Sequence, residues 1–332
     1  MNMISLTLRT IAALLLGAAA ARLIASETVL SLLTQATIFG VFATGIGVLL
    51  RQNGAVSFGH ALFYGGAGYG VGLLLKLQWT GAEAAIALTL LAIAASAFLM
   101  GLVIVRVPGI AFGMVTLAMG QVTFLAVSRA RGFIGGADGL TIEWPATVFG
   151  LPQSVLFRPD NLFLLSWSVL VLVIAGLSLV FRSRFGSITE AARDNEERAR
   201  FIGIATLVPR AVIYALSAVV AGIGGVLSAL NSGFVSPESL HWSLSGMTLM
   251  MVIVGGAKPL WGPALGAIVY FLFKDVLGDY ATHWMAVFGV VLIVVIVFAP
   301  HGLAGSIQRM RRTRQRAPTA AAAPIRTAQA HK

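Results

Sequence analysis

The stretch from Ala84 to Val105 contains no charged residue, and the stretch from Asn161 to Phe181 contains none either. An α-helix rises 1.5 Å per residue, so about 20 apolar residues match the roughly 30 Å hydrocarbon core of a bilayer. Two such runs in one chain make the bilayer its solvent. Charged residues make up 11% of the 332 residues and hydrophobic residues 58%. Soluble domains carry about 25% charge, so the chain lacks the polar surface to enclose a water-soluble domain of this length. The expected fold class is an all-α polytopic membrane protein.

Apolar runs bounded by charge, proline or glycine give about ten transmembrane or part-membrane helices. They are Leu6 to Ile24, Ser31 to Leu50, Ser57 to Leu75, Ala84 to Val105, Gly109 to Ser128, Asn161 to Phe181, Pro209 to Leu230, Trp242 to Gly256, Pro259 to Leu277 and Thr282 to Ala299. The third, eighth and ninth fit half-helices as well as full crossings. The first also has the basic residue, apolar stretch and small residues of a secretory signal; it is read as a retained helix, as is usual for a multi-span chain. Two polar stretches, Arg129 to Asp160 and Arg182 to Pro209, interrupt the apolar pattern. Residues 1–304 form one membrane domain, and residues 305–332, rich in Arg, Ala and Pro, read as a basic disordered tail.

The net charge of +11 could suggest a nucleic-acid partner, but its distribution argues otherwise. Arg182, Arg184, Arg193, Arg198, Arg200 and Arg210 cluster in one loop, and the tail carries six Arg and one Lys. Cytoplasmic loops of membrane proteins collect Lys and Arg. Four expected spans separate the loop from the tail, as placing both in the cytoplasm requires, and counting back puts the N-terminus inside as well. Lys258 then also falls inside, either as one more positive-inside charge or as a second contact for a cytoplasmic partner.

Several chemistries lack their residues. There is no cysteine, hence no disulfide or thiolate site, and no G-x-x-x-x-G-K-[ST] loop for nucleotide. None of the twelve acidic residues falls at the centre of an expected span, which disfavours a proton-coupled carrier, because intramembrane carboxylates are kept for such work. A secondary carrier using backbone carbonyls stays possible. Ser245 and His283, on separate expected spans, could form the dyad of an intramembrane serine protease; the plainer reading bonds Ser245 to its own helix and leaves His283 at the interface.

The loop from Arg182 to Pro209 carries the strongest polar pattern. Gly186 is expected to break the preceding helix, Ser187 or Thr189 to cap a new one, and Glu190 to Phe201 to form a short surface helix closed before Pro209. Ile188, Ala191, Ala192 and Ala199 would give that helix a small, flat face between charged flanks. The run Phe185-Gly-Ser-Ile-Thr-Glu-Ala-Ala-Arg-Asp-Asn-Glu-Glu-Arg-Ala-Arg-Phe-Ile-Gly-Ile resembles the cytoplasmic Glu-Ala-Ala coupling loop of ABC importer permeases, in the form found in LivM-type branched-chain amino-acid permeases. The likeness lies in Gly186, in Glu190-Ala191-Ala192, in Arg193, in the acidic cluster of Asp194, Asn195, Glu196 and Glu197, and in Gly203. Asp194 stands where that family usually has Glu.

Four further stretches resemble the same family in the same order. The first is Asn53-Gly-Ala-Val-Ser-Phe-Gly-His-Ala-Leu-Phe-Tyr-Gly-Gly-Ala-Gly-Tyr. Next come Gly109-Ile-Ala-Phe-Gly-Met-Val-Thr-Leu-Ala-Met-Gly-Gln, with Gln121 where a Glu is common, and the turn Gly135-Gly-Ala-Asp-Gly-Leu. The C-terminal half follows from Ala221 to Leu227, from Ser236 to Ser239 and from Val254 to Ala267. Together these cover about residues 31 to 304. Gly54, Ser57, Gly59, His60, Thr116 and Gln121 are the candidate translocation-path residues. Small residues permit close helix approach or an unwound backbone at membrane depth, and the hydroxyls, imidazole and amide supply hydrogen bonds. Helix packing alone would also account for these glycines, for Thr116 and Thr123, which share a face, and for a His60 satisfied by a nearby carbonyl.

The resemblance implies a permease subunit in the bacterial inner membrane. It would translocate branched-chain amino acids, or related urea, short amides or aromatic acids, delivered by a periplasmic binding protein. It implies two separate ATPase subunits that bind ATP and Mg, with no cofactor in this chain, and a second, LivH-type permease.

Overall fold

The computed structural model describes residues 3–78, 80–278, 284–299 and 302–315. The chain opens with α1 (Met3–Leu23), α2 (Glu27–Asn53), α3 (Ala61–Lys76), α4 (Ala82–Ile104) and α5 (Gly109–Arg129). A loop with the one-turn helices α6 (Arg131–Ile134) and α7 (Gln153–Leu156) and the two-residue strands β1 (Leu140–Thr141), β2 (Thr147–Val148) and β3 (Leu151–Pro152) leads to α8 (Pro159–Arg182). Then follow α9 (Arg184–Asp194), α10 (Glu196–Phe201), α11 (Leu207–Ser232), β4 (Phe234–Val235), α12 (Trp242–Gly255), α13 (Gly262–Gly278), α14 (Trp284–Phe298) and α15 (Gly302–Gln315). The all-α polytopic membrane class fits this architecture.

Six described helices, α1, α2, α4, α5, α8 and α11, are long and apolar enough to cross a membrane. The other four expected spans are shorter. α3 has 16 residues and α12 has 14, about 24 and 21 Å at the helical rise, less than the roughly 30 Å of a hydrocarbon core. α13 has 17 and α14 has 15. The tenth expected span opens at Thr282, outside the described residues. α15 runs helical through the first part of the stretch expected as a disordered tail; residues 316–332 of that tail lie outside the described residues.

α2 is the central element, buried along most of its length and flanked by α8, α11, α12 and α13. Lipid tails are as apolar as leucine, so helices in a bilayer associate through close packing and hydrogen bonds instead of the hydrophobic effect. The α2–α11 seam fits this rule. A Cβ on Gly45 would stand 2.8 Å from the Ser217 carbonyl oxygen, and Gly224 lies against Phe42. Phe42 in turn stacks on Tyr64 of α3, ring centroids 4.6 Å apart.

Charge separates along the helix axes. Arg9, Arg51, Arg182 and Lys258 share one cavity at one end, and Arg106, Glu196, Arg200 and Arg210 share a cleft at that same end. At the other end β1 pairs antiparallel with β4, which ties the α5–α8 loop to the α11–α12 connection, and Glu83 accepts a hydrogen bond from the Phe149 amide at 2.6 Å.

Candidate functional site

Between α2 and α3 the chain is unwound. Gly54 ends α2 in the left-handed region (φ 66°), its N–H returning to the Leu50 carbonyl, and residues 54–60 then run inward without helical structure until α3 begins. Non-helical backbone at membrane depth must find partners within the protein, and this segment does. The Phe58 amide donates to Thr116 Oγ1 of α5 at 3.3 Å, and the Gly59 amide to Ser57 Oγ at 3.3 Å. The Ala61 amide, at the first turn of α3, donates to Ser245 Oγ of α12 at 2.7 Å. Gly59 permits the approach to α5, because a Cβ there would stand 2.3 Å from the Thr116 carbonyl oxygen.

His60 is fully buried where this segment joins α3. Its Nδ1 lies 2.8 Å from Ser57 Oγ and its Nε2 lies 2.7 Å from Ser217 Oγ of α11. The surrounding network assigns the proton. Ser217 donates to the Tyr214 carbonyl at 3.0 Å, so toward His60 it accepts, and Nε2 carries the hydrogen. Ser57 accepts from the Gly59 amide and gives its own proton to Nδ1. A neutral imidazole with both nitrogens satisfied is the result. Phe63 and Tyr214 close over it edge-on, with centroids 5.8 and 5.6 Å away.

The candidate path residues do not all meet. Ser57, Gly59, His60 and Thr116 come together, and Ser217 and Ser245 join them from helices far away in sequence. Gly54 lies apart, exposed at the end of α2 with Arg193 Cγ against its α-carbon face. Gln121 is half-buried on α5 and its Oε1 has no partner among the described residues. Among the described residues Thr123 bonds only to Met119 of its own helix.

The polar loop is built differently from its sequence expectation. Gly186 sits inside α9 and is not a breaker. The preceding helix stops at Ser183, whose extended backbone (φ −77°, ψ 173°) makes the corner. The expected single helix from Glu190 is two helices, split where Asn195 turns extended (φ −158°) and caps α10 by accepting from the Arg198 amide at 2.8 Å. Thr189 is not a cap but is buried, donating to Gln52 Oε1 of α2 at 2.9 Å. Ala192 and Ala199, expected on an outward flat face, are buried against the bundle, while Ala191 and Glu190 stay exposed. Gly203, in the left-handed region (φ 85°), follows α10 as expected.

Three anchors fix this loop to α2 and α11. Arg193 donates to the Arg51 carbonyl at 2.7 Å and pairs with Asp194. Thr189 holds Gln52. Glu196 receives Arg210, Arg200 and the Thr206 hydroxyl. Burial pushes the Glu196 carboxyl up, but Arg210, the Thr206 hydroxyl and Arg200 outweigh it and hold the group below its ordinary value. Glu197 stays exposed. Beyond these anchors Phe201 is 89% exposed and Ile202 71%, two large apolar side chains at the tip of a charged loop. Their adjacency just before Gly203 was visible in the sequence; Ser217, 157 residues from its partner, left no such sign.

No group of three or more His, Asp or Glu side chains suited to a metal ion occurs among the described residues. Of the expected protease pair, Ser245 is fully buried with its oxygen engaged by the Ala61 amide, and His283 lies outside the described residues.

Residues 28–299 match the profile of the branched-chain amino acid transport system / permease component family. The chain is 26% identical over 311 residues to the high-affinity branched-chain amino acid transport system permease protein LivM of Salmonella typhimurium, covering 88% of this chain and 73% of that one. The Escherichia coli protein of the same name is 27% identical over the same shares. The autoinducer 2 import system permease protein LsrC of Klebsiella pneumoniae is 30% identical over 45% of each chain. No solved structure matches.

Proposed function

The chain belongs to the family of branched-chain amino acid transport permease components, and on that premise we propose that it is the membrane-spanning half of an ATP-driven importer for a small amino acid. Residues α9 to Gly203 form its coupling loop, and the end of the bundle that carries this loop faces the cytoplasm, which places both termini inside. The opposite end, with β1, β4 and the α5–α8 loop, receives a periplasmic binding protein. Two ATPase subunits supply the energy, and a second, LivH-type permease completes the path in a bacterial inner membrane. Each motion is conformational: this chain makes and breaks no covalent bond.

The observation that carries this reading is the anchored loop with an exposed apolar tip. A solvated surface helix has no use for Phe201 and Ile202 in water, since contiguous exposed apolar side chains mark contact surfaces. Its base is tied to α2 and α11, so a push at the tip reaches the two most buried long helices. For the substrate, leucine, isoleucine and valine come first, on the names of the two full-length relatives. A relative named for autoinducer import shows that similar chains serve other solutes, and the fully buried, neutral His60 cluster offers no charge for a zwitterion to pair with, so selectivity is assigned to the binding protein.

The test is uptake of labelled leucine by vesicles holding this chain with ATPase, second-permease and binding-protein partners. Uptake should need ATP, and Phe201→Ser with Ile202→Ser should abolish it while membrane insertion stays normal. Leucine uptake by the chain alone would reveal a secondary carrier and refute the reading.

A further inference from the structure

A second feature of the loop-bearing end is a cavity of about 630 Å³ bounded by α1, α8, α13 and the end of α2. Arg9, Arg51, Arg182 and Lys258 line it, and among the described residues no Asp or Glu does. The rest of its wall is mainly apolar and includes Trp167, Leu170, Ile174 and Ile268. These two kinds of lining lie at different depths. Arg182 is the last residue of α8 and Leu170 lies twelve residues before it, about 18 Å along the axis. Arg51 and Arg182 thus sit at helix ends, Lys258 in the connection between α12 and α13 and Arg9 in the second turn of α1, near the level of a lipid headgroup, and the apolar wall runs from there toward the middle of the bilayer.

The wall is also shaped by an unusual contact. A Cβ on Gly17 of α1 would stand 2.1 Å from the Trp167 ring, and the indole donates to the Ala13 carbonyl at 2.8 Å, so α1 is seated on α8 and closes one side of the cavity. Arg51 is oriented by the Phe181 ring, 5.7 Å from its guanidinium carbon.

Arg9, Arg51 and Lys258, in a wall that has no carboxylate among the described residues, call for an anion, and an apolar wall of this length calls for a hydrocarbon chain attached to it. Basic pockets between transmembrane helices suit acidic lipid headgroups. We propose that this cavity binds one anionic phospholipid, its phosphate among Arg9, Arg51, Arg182 and Lys258 and an acyl chain along α8 toward Leu170. A free phosphate would satisfy the cations and leave the apolar wall unfilled; a neutral lipid would do the reverse.

The experiment is native mass spectrometry of the purified full chain, titrated with phosphatidylglycerol or with phosphatidylethanolamine of the same acyl composition. Phosphatidylglycerol should be retained preferentially. The double variant Arg9→Gln, Lys258→Gln should bind it about thirtyfold more weakly, whereas Arg9→Lys with Lys258→Arg should keep the preference. Ala175→Phe, which fills the apolar wall and alters no charge, should also expel the lipid. Unchanged phosphatidylglycerol binding in either the neutralised or the filled variant would overturn the proposal. Displacement of bound lipid by millimolar inorganic phosphate alone would show a site for soluble anions, and loss of the lipid on adding a second permease chain would show a protein interface; either result would refute it.

Discussion

Replacing Ser217 by Ala removes one oxygen, and the structure says what that costs. The Nε2 hydrogen of His60 would lose its acceptor at a position of zero exposure, where Phe63 and Tyr214 pack edge-on against the ring. Stranding a buried donor costs about 1–3 kcal/mol. The methyl that replaces the hydroxyl changes volume little, so cavity terms are small. Removing both partners at once differs: His60→Leu with Ser217→Ala leaves no orphan between them and should cost less than the two single changes added together, by about 1 kcal/mol or more. Thermal unfolding of the detergent-solubilised chain measures the four species of this cycle. Hydrogen exchange of the amides of residues 57–61 should rise in Ser217→Ala before any global change, because the unwound segment is what the contact retains. Strict additivity of the two substitutions, or a Ser217→Ala variant within a few tenths of a kcal/mol of wild type with unaltered exchange, would refute the assigned network.

Gly59→Ala should destabilise the chain by about 1–3 kcal/mol, because its methyl would meet the Thr116 carbonyl at 2.3 Å and both sides of that contact are backbone; the melting temperature reads it. Arg193→Ala should leave insertion intact and loosen the coupling loop from the Arg51 carbonyl, seen as faster exchange of the α9 amides and a lower ratio of uptake to ATP hydrolysis. Acidification should release the loop's other anchor. The Glu196 carboxyl is held low, so its contribution is complete above the ordinary carboxylate range near pH 4.3, declines as the pH falls below that value, and is gone below the lowered folded value. Glu196→Gln should remove that acid-dependent part of the loop's stability, measured by exchange of the α10 amides against pH.

The chain's helices were legible because each expected span is predominantly apolar, and every expected span corresponds to a described helix in part or whole. Helix lengths were less so. The unwinding of residues 54–60 is set by Gly54 and by hydrogen-bond partners on α5, α11 and α12, none of which is local. The coupling loop shows the same division. Its charges and its final Gly203 were readable, but Gly186, expected to break the preceding helix, lies inside α9; α8 stops earlier, at Arg182, because the corner is made by an extended Ser183 and not by the residue with the lowest helix propensity. Ala192 and Ala199 were expected by composition on a small, flat face, which the resemblance implied would dock on the ATPase. Burial of the loop's inner side by Gln52, Arg51 and Arg210 reversed that assignment and left Phe201 and Ile202 outside.

The anchors of the coupling loop explain how force at its tip would reach the buried polar cluster. Arg210 lies in the first turn of α11 and holds Glu196, while its carbonyl accepts from the Asn53 side chain at 3.0 Å. Ser217 lies seven residues on, about 10 Å along the same helix, and holds His60. A helix segment that short behaves as a rigid rod compared with the loops at its ends. The seam where Gly45 meets the Ser217 carbonyl is too close for α2 and α11 to slide past one another independently. On the proposed function, closure of the ATPase subunits on Phe201 and Ile202 therefore moves α2 and α11 as one body, and the Ser217–His60 contact carries that motion into the unwound segment. The two ends of this segment are then driven by the same body: Gly54 through α2, and His60 through α11. Its remaining hydrogen bonds, to Thr116 of α5 and Ser245 of α12, are the ones that must yield. Cross-linking of residues 58 and 116 should for that reason block uptake while leaving binding of the ATPase subunits intact, and uptake at the wild-type rate in the cross-linked protein would show that the segment does not move against α5.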